Sequence, residues 1–289
     1  MEIKPAKPDR KPDWLRIKLP GVNDYSYIKD YLAEFHLHTI CESGKCPNRA
    51  ECWEQKTATF MILGNNCTRA CRFCAVSKSK PLVPDREEPE KLAEAIKKIG
   101  LKHCVITSVT RDDLSDGGAS IWHDAITTIK QKNPGITIEA LIPDFNGNHR
   151  DLDLLIKSQP DIISHNLETV RRLTPEIRIK AQYTLSLEVL QYLAAKGITT
   201  KSGIMLGLGE TQEEIYQTME DLLNVQCRIV TIGQYLQPSK KNYPVKKYYT
   251  PTEFELLKEK ALEKGFKFAE SGPLVRSSYH ASKHIKTDN

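Results

Sequence analysis

Six of the eight cysteines in this chain fall within residues 41–74, as two triplets, Cys41-x4-Cys46-x5-Cys52 and Cys67-x3-Cys71-x2-Cys74. In a reducing compartment such crowding points to metal ligation or redox chemistry rather than disulfides. Three thiolates as close in sequence as those of the second triplet can wrap one corner of a cubane iron–sulfur cluster. Three protein ligands for four irons leave one iron open to a substrate or cofactor. A closed zinc site needs four ligands and usually shows paired Cys-x2-Cys units, and a ferredoxin-like carrier brings a fourth cysteine close by. The second triplet has neither. The first triplet, taken alone, also admits a zinc knuckle completed by His36 or His38. Cys104 and Cys227 each open an apolar run and read as buried, inert thiols.

Composition bounds the rest. With 39% hydrophobic and 27% charged residues the chain is of the soluble globular type. No run of 18 apolar residues occurs, so no membrane span is expected. The first 20 residues are basic without an apolar segment and hold Glu2, Asp9 and Asp13, which fits neither a secretory signal nor a transit peptide. A cytoplasmic protein is expected. The net charge of +5 suits an acidic protein partner, and no basic helix interleaved with aromatics suggests nucleic acid. No Ser-His-Asp or paired-carboxylate arrangement is visible, so no residue is assigned as a general acid or base.

The elements that must position these groups follow from periodicity. Residues 1–20, with prolines at 5, 8, 12 and 20, read as an extended arm, and 21–56 as a loop-rich segment around the first triplet. From residue 57, β-branched runs alternate with helical stretches: strands at 57–65, 104–109, 137–144, 161–167, 199–208 and 228–236, each followed by a helix, at 89–100, 121–135, 150–159, 186–197, 211–224 and 250–265. Pro89 suits a first turn and Gly100 a C-cap. Six βα units make either an open doubly wound sheet or a curved barrel. A partial (β/α)6 TIM-type barrel is the preferred reading, with an N-terminal cysteine-rich extension (1–56), the barrel (57–265) and a C-terminal extension (266–289). Polar and glycine-containing runs recur at strand C-terminal ends, at 64–66, 108–111, 166–168 and 207–210, and function gathers on that face in either architecture.

A Cys-x3-Cys-x2-Cys motif with Phe73 before its last cysteine, on the loop after the first strand of such a barrel, resembles the radical S-adenosylmethionine superfamily. The first triplet and Arg276-Ser277-Ser278-Tyr279 narrow the resemblance to the lipoyl synthase family, as do Ser108–Leu114 with Asp116-Gly117-Gly118, and His165–Val170. The match spans about residues 38–281. One stretch departs from the family pattern: where Arg-Pro-Gly-Ala-x-Tyr is usual, this chain has Arg178-Ile179-Lys180-Ala181-Gln182-Tyr183, without the Pro-Gly turn.

The resemblance implies two 4Fe–4S clusters and S-adenosyl-L-methionine. Cys67, Cys71 and Cys74 would hold the cluster that cleaves the cofactor to a 5′-deoxyadenosyl radical. Cys41, Cys46 and Cys52 would hold an auxiliary cluster closed by a serine, with Ser277, beside Arg276, favoured over Ser278. Cofactor contacts would come from Phe73 near the adenine, Ser108, Gly117 and Gly118 at the exit of the second strand, Asn166 and Glu168 at the ribose, and Arg178 at a carboxylate. The simpler readings are a turn for Asp116-Gly117-Gly118, a helix cap for Asn166, surface turn residues for the serines, and structural roles for His149 and His165. The implied reaction inserts sulfur at carbons 6 and 8 of a protein-bound octanoyl-lysine, with the auxiliary cluster consumed as sulfur source. The substrate would be an octanoylated lipoyl carrier domain or a glycine-cleavage H-type protein. An electron donor such as ferredoxin or flavodoxin, and an iron–sulfur carrier, would serve it. The rival readings are a biotin-synthase-like or peptide-modifying radical enzyme, and a non-catalytic iron–sulfur or zinc protein.

Overall fold

The structure, a computed structural model, describes residues 11–16, 26–54 and 58–285. Most of the expected N-terminal arm lies outside the described residues. Within it, Asp13–Leu15 forms one 3-10 turn that buries Leu15, and the Trp14 indole donates to the Tyr249 carbonyl at 3.2 Å.

One eight-stranded sheet runs in sequence order. Seven strands are parallel: β2 (Thr59–Ile62), β3 (His103–Ser108), β4 (Thr137–Leu141), β5 (Ile162–Ser164), β6 (Thr200–Leu206), β7 (Ile229–Gln234) and β8 (Phe268–Gly272). The short β1 (His38–Thr39) pairs antiparallel with β2. Among the described residues β1 and β8 remain edges, so the architecture is the expected partial barrel. The expected six strands all form, and β8 adds a parallel strand. Phe-Ala-Glu-Ser-Gly has no apolar alternation, so the sequence reading placed it in the C-terminal extension; its pairing with β7 supplies the order its side chains do not.

The N-terminal segment folds as α1 (Ser26–Glu34), α2 (Ile40–Ser43) and α3 (Arg49–Glu54). The crossovers are α4 (Glu88–Ile99), α5 (Ala119–Lys132), α6 (His149–Lys157), the single turn α7 (Thr174–Ile177), α8 (Tyr183–Ala195) and α9 (Gln212–Asn224), with α10 (Pro251–Lys264) leading into β8. Their ends follow local chemistry. Pro89 sits in the first turn of α4 and Gly100 closes it at φ +74°, while Thr211/Glu214 and Thr250/Glu253 form capping boxes for α9 and α10.

The two faces of the sheet differ sharply. Cys104, Ile106, Ile138, Ala140 and Ile163 pack outward against Leu92, Ile96, Trp122 and Ile126 of the helices, each such burial contributing about 1.5–3 kcal/mol for a large side chain. The thiols Cys104 and Cys227 are fully buried, and burial pushes both pKa values up, as expected of inert cysteines. The concave face instead carries Thr59, Glu139, Ser164 and Lys201. Lys201 donates to both oxygens of Glu139 at 2.9 Å with neither side chain exposed, and the Ser164 hydroxyl donates to the same carboxylate at 2.7 Å.

The C-terminal segment turns back into this concavity after β8. Gly233 makes the passage possible: a Cβ there would lie 2.1 Å from the Val275 carbonyl oxygen. The segment ends in a 3-10 turn, Ala281–Ile285, whose buried His284 reaches 3.3 Å from the Lys201 ammonium.

Candidate functional site

The second triplet lies on the loop leaving β2, and long-range backbone bonds hold that loop on every side. Cys67 N–H donates to Ser77, Thr68 to Thr110, and Arg72 to Ile177, while Tyr243 N–H and the Asn242 amide donate to the Arg72 carbonyl. Asn242 also donates to the Cys74 carbonyl at 2.9 Å. Within the loop Arg69 is buried and clamped by Asp112 (2.9 and 3.0 Å) and Asp144 (2.7 Å). Burial pushes the Asp144 carboxyl up, but the Arg69 guanidinium outweighs it and leaves the group at about 2. Three backbone amides point at sulfurs of this triplet, Arg69 and Thr110 at Cys67 Sγ (3.4 Å each) and Val76 at Cys74 Sγ (3.5 Å). Such donors stabilise thiolate ligands and tune cluster potential. Burial raises Cys71, and pushes Cys74 up to about 12.

The first triplet meets the C-terminal segment. A small cleft is lined by Cys41, Cys46, Cys52, Asn48, Thr59, Arg276, Ser278 and Tyr279. Asn48 reaches across to the Leu274 carbonyl at 2.6 Å, and Tyr279 donates to Glu51 at 3.2 Å. Thr59 donates its hydroxyl to Ser278 Oγ at 2.8 Å. Burial pushes Cys41 up to about 11 and Cys52 up to about 12, so thiolates here need positive charge at the centre of the cleft. Three thiols and the Ser278 hydroxyl around one cleft fit an iron–sulfur cluster, and the adjacent Arg276 guanidinium would offset the net negative charge that thiolate ligands bring. Among the described residues no three or more His, Cys, Asp or Glu side chains close on a single metal ion, and His36 and His38 line a different surface cleft.

The two serines diverge. Ser278 lines the thiol cleft, whereas the Ser277 hydroxyl accepts from the Asn166 amide at 2.6 Å, although Ser277 was the favoured one from sequence. Asn166 also donates to Glu168 at 3.1 Å and leaves its buried Oδ1 without a hydrogen-bond partner. It therefore stands between the two cysteine sites and caps no helix. Glu168 adopts φ +66° and faces Cys71, Cys74 and Arg178; burial raises its pKa.

The remaining expected contacts carry structural duties. Phe73 packs against the cluster of Val170, Leu208, Tyr235 and Tyr243. Ser108 accepts from the Trp122 indole at 3.2 Å. Asp116 caps the start of α5 through Gly118 and Ser120 N–H, so this turn is also a helix start. Gly118 takes φ +91°, and a Cβ on it would sit 2.4 Å from Leu63. Arg178 is buried and donates to the Leu167 carbonyl (3.2 Å) and Ser186 hydroxyl (3.0 Å). Beside it Ile179 takes φ +40°, which a proline could not adopt, so the turn that replaces Pro-Gly has its own geometry. His165 bridges Ile142 and Ser186, and His149 stacks on Tyr192 at 3.9 Å; both are structural. Sequence reasoning missed Thr59, Asn48, Arg69 and Asn242, whose partners lie 43 to 226 residues away.

Comparison with known proteins decides the family. The model of the radical SAM superfamily matches residues 61–222, and that of the N-terminal domain of lipoyl synthase matches residues 2–46. The chain is 56% identical over 279 residues to a lipoyl synthase from Flavobacterium johnsoniae, covering 96% of this chain and 97% of that one. The chain belongs to the lipoyl synthase family. It is a radical SAM enzyme, and that superfamily carries S-adenosylmethionine and a 4Fe–4S cluster. It is also 56% identical to a mitochondrial lipoyl synthase from Nematostella vectensis, over 95% of each chain. In fold it resembles Streptococcus suis SuiB bound to S-adenosylmethionine, at a TM-score of 0.60 and 13% identity, over 78% of this chain and 54% of SuiB. Among the described residues no helix is long and apolar enough to cross a membrane.

Proposed function

We propose that this enzyme inserts two sulfur atoms, at carbons 6 and 8 of an octanoyl chain carried on a protein lysine, to form the lipoyl group. The observation that carries this reading is the cleft of the first triplet. Cys41, Cys46, Cys52 and Ser278 line one cleft, and Asn166 links Ser277, next to Ser278, to the exit of β5. When bound, the radical cluster with S-adenosylmethionine supplies a carbon-centred radical able to take hydrogen from an unactivated C–H bond, and an auxiliary cluster supplies sulfur.

The chain's own residues then have definite tasks. Cys67, Cys71 and Cys74 hold the radical cluster on a loop that Asn242, Tyr243 and Arg69 fix in place. Cys41, Cys46 and Cys52 hold the auxiliary cluster, and Ser278 closes it. Iron–sulfur clusters prefer thiolate ligands, so a lone serine oxygen would hold its iron less firmly than the three cysteines hold theirs. Thr59 supports a deprotonated Ser278 by donating to its oxygen. In this reading Gly117, Gly118, Ser108, Phe73, Asn166, Glu168 and Arg178 would also contact the cofactor, and the buried Oδ1 of Asn166, which has no hydrogen-bond partner, would accept from a bound donor. No side chain needs to act as general base, because C–H bonds of an alkyl chain have no acidic proton.

The substrate in this reading is an octanoylated lipoyl carrier domain or glycine-cleavage H-type protein, with a ferredoxin or flavodoxin as electron donor and an iron–sulfur carrier rebuilding the auxiliary cluster. The test is anaerobic mass spectrometry of an octanoyl-lysine peptide incubated with reconstituted enzyme, reductant and S-adenosylmethionine. Two added sulfurs are expected, with about eight irons per chain at the start. Zinc with little iron, or cofactor cleavage that ignores the octanoyl chain, would overturn the assignment.

A further inference from the structure

The mechanism uses only Asn242 and Tyr243 of a loop of unusual length and charge. Residues 235–250, between β7 and α10, carry no helix or strand, and ordered loops beyond about 12–15 residues are mostly functional. This one holds Lys240, Lys241, Lys246 and Lys247, and no Asp or Glu stands anywhere between Asp221 and Glu253.

The loop is held firmly from within. Tyr235, Tyr243, Val245 and Tyr249 are buried, the Tyr235 hydroxyl donates to the Tyr243 carbonyl at 2.7 Å, and the Gln234 amide donates to Lys247 at 3.0 Å. Lys240, Lys241 and Lys246 alternate with these anchors and are exposed. The loop rides on the cysteine loop through Asn242 and Tyr243, and Lys246 N–H donates to Gly207 at the exit of β6. The lysines therefore rim the face on which the strands end.

Surface lysines are usually no more than a solvated face. Here the neighbouring guanidiniums and Lys247, which pairs with Glu253 at 2.7 Å, are neutralised, and the other three lysines are not. Arg72 pairs with Glu176, Arg171 with Asp221 and Arg172 with Glu214, whereas Lys240, Lys241 and Lys246 form no ion pair with any described residue. A rigid, uncompensated positive rim beside a reaction site raises the local concentration of an acidic partner and orients it.

We infer that Lys240, Lys241 and Lys246 form the docking surface for the acidic folded domain that presents the acylated lysine. This rests on the proposed function and adds to it the place where the carrier protein, as distinct from its octanoyl chain, is recognised.

The test uses full-length reconstituted enzyme, the charge-reversed K240E/K241E/K246E enzyme, an octanoylated H-type carrier protein and an octanoyl-lysine peptide, with dithionite as reductant. We expect binding and kcat/KM for the carrier to fall roughly tenfold or more at low salt, with a flatter dependence on ionic strength, through KM rather than kcat. Turnover of the peptide is expected to be unchanged, and the variant's iron content with it. Equal loss on peptide and carrier would overturn the inference, as would unchanged binding of the carrier. So would normal dithionite-driven turnover of the carrier combined with slow turnover on a flavodoxin, since the rim would then serve the reductant. Direct binding is measured apart from sulfur insertion. Salt-dependent carrier binding without insertion would defeat the reaction assignment alone, and insertion without lysine-dependent binding would defeat the docking site alone.

Discussion

Replacing Lys201 by methionine should destabilise the fold severely, and the reason lies on the concave face of the sheet. Lys201 and Glu139 are each fully buried, the ammonium lies 2.9 Å from both carboxylate oxygens, and Ser164 supplies a further hydrogen bond at 2.7 Å. Removing the cation leaves a carboxylate in dry surroundings with one hydroxyl donor. Breaking a buried pair in this way costs about 3–5 kcal/mol, or roughly 100- to 5,000-fold in the folding equilibrium. Because His284 leans on the same ammonium, the loss also loosens the segment that carries Ser278. The assay is anaerobic urea denaturation of wild type, K201M, E139Q and the double variant, followed by far-ultraviolet circular dichroism. The K201M midpoint should fall by about 1–2 M. In the double variant, E139Q should recover much of the K201M loss, because the stranded charge is gone. A K201M loss under about 1 kcal/mol, or costs that simply add in the double variant, would refute the reasoning.

Four further outcomes are expected. S278A should lose iron from the first-triplet site and abolish sulfur insertion while S277A keeps that iron, read by Mössbauer spectroscopy and peptide mass; equal iron retention in both variants would count against the assignment of Ser278. T59V removes one hydrogen bond to Ser278, worth about 0.5–1.5 kcal/mol, and should leave the second cluster bound but more readily stripped by a chelator. Burial holds His165 neutral, with its pKa lowered to about 4 against 6.5 in the open chain, so the unfolded state takes up the proton first as pH falls. Stability should then drop by about 2 kcal/mol between pH 7 and 5, and H165N should remove that part of the slope. R69Q strands Asp144 and Asp112 beneath the cysteine loop; Asp144, held at about 2 by the arginine, should then titrate higher, so the variant is destabilised at neutral pH and its deficit relative to wild type should narrow on acidification; a deficit that widens as pH falls would count against this.

Much was legible in one dimension because the chemistry is local there. Cysteine spacing needs only a short loop to make a three-ligand corner, so both thiol sites could be read before any fold was known. Alternating apolar runs and helical stretches fixed six βα units, since burial of one face imposes its period on the chain. Charge was legible too, as a net excess without an address.

Tertiary structure decided what depends on meetings between distant segments. Adjacent serines cannot be told apart by composition; the path of the backbone past Gly233 turns Ser278 to the thiols and Ser277 to Asn166. The strand Phe268–Gly272 has no periodic signature and exists because β7 offers an unpaired edge. Lys201 and Glu139 are ordinary charges in the sequence, 62 positions apart, and become a dry pair only when the sheet curves. Spacing alone sorts six thiols into two sets of three. What completes their sites was settled by the curvature of the sheet, because hydrogen bonds and ion pairs depend on distance in space and not along the chain.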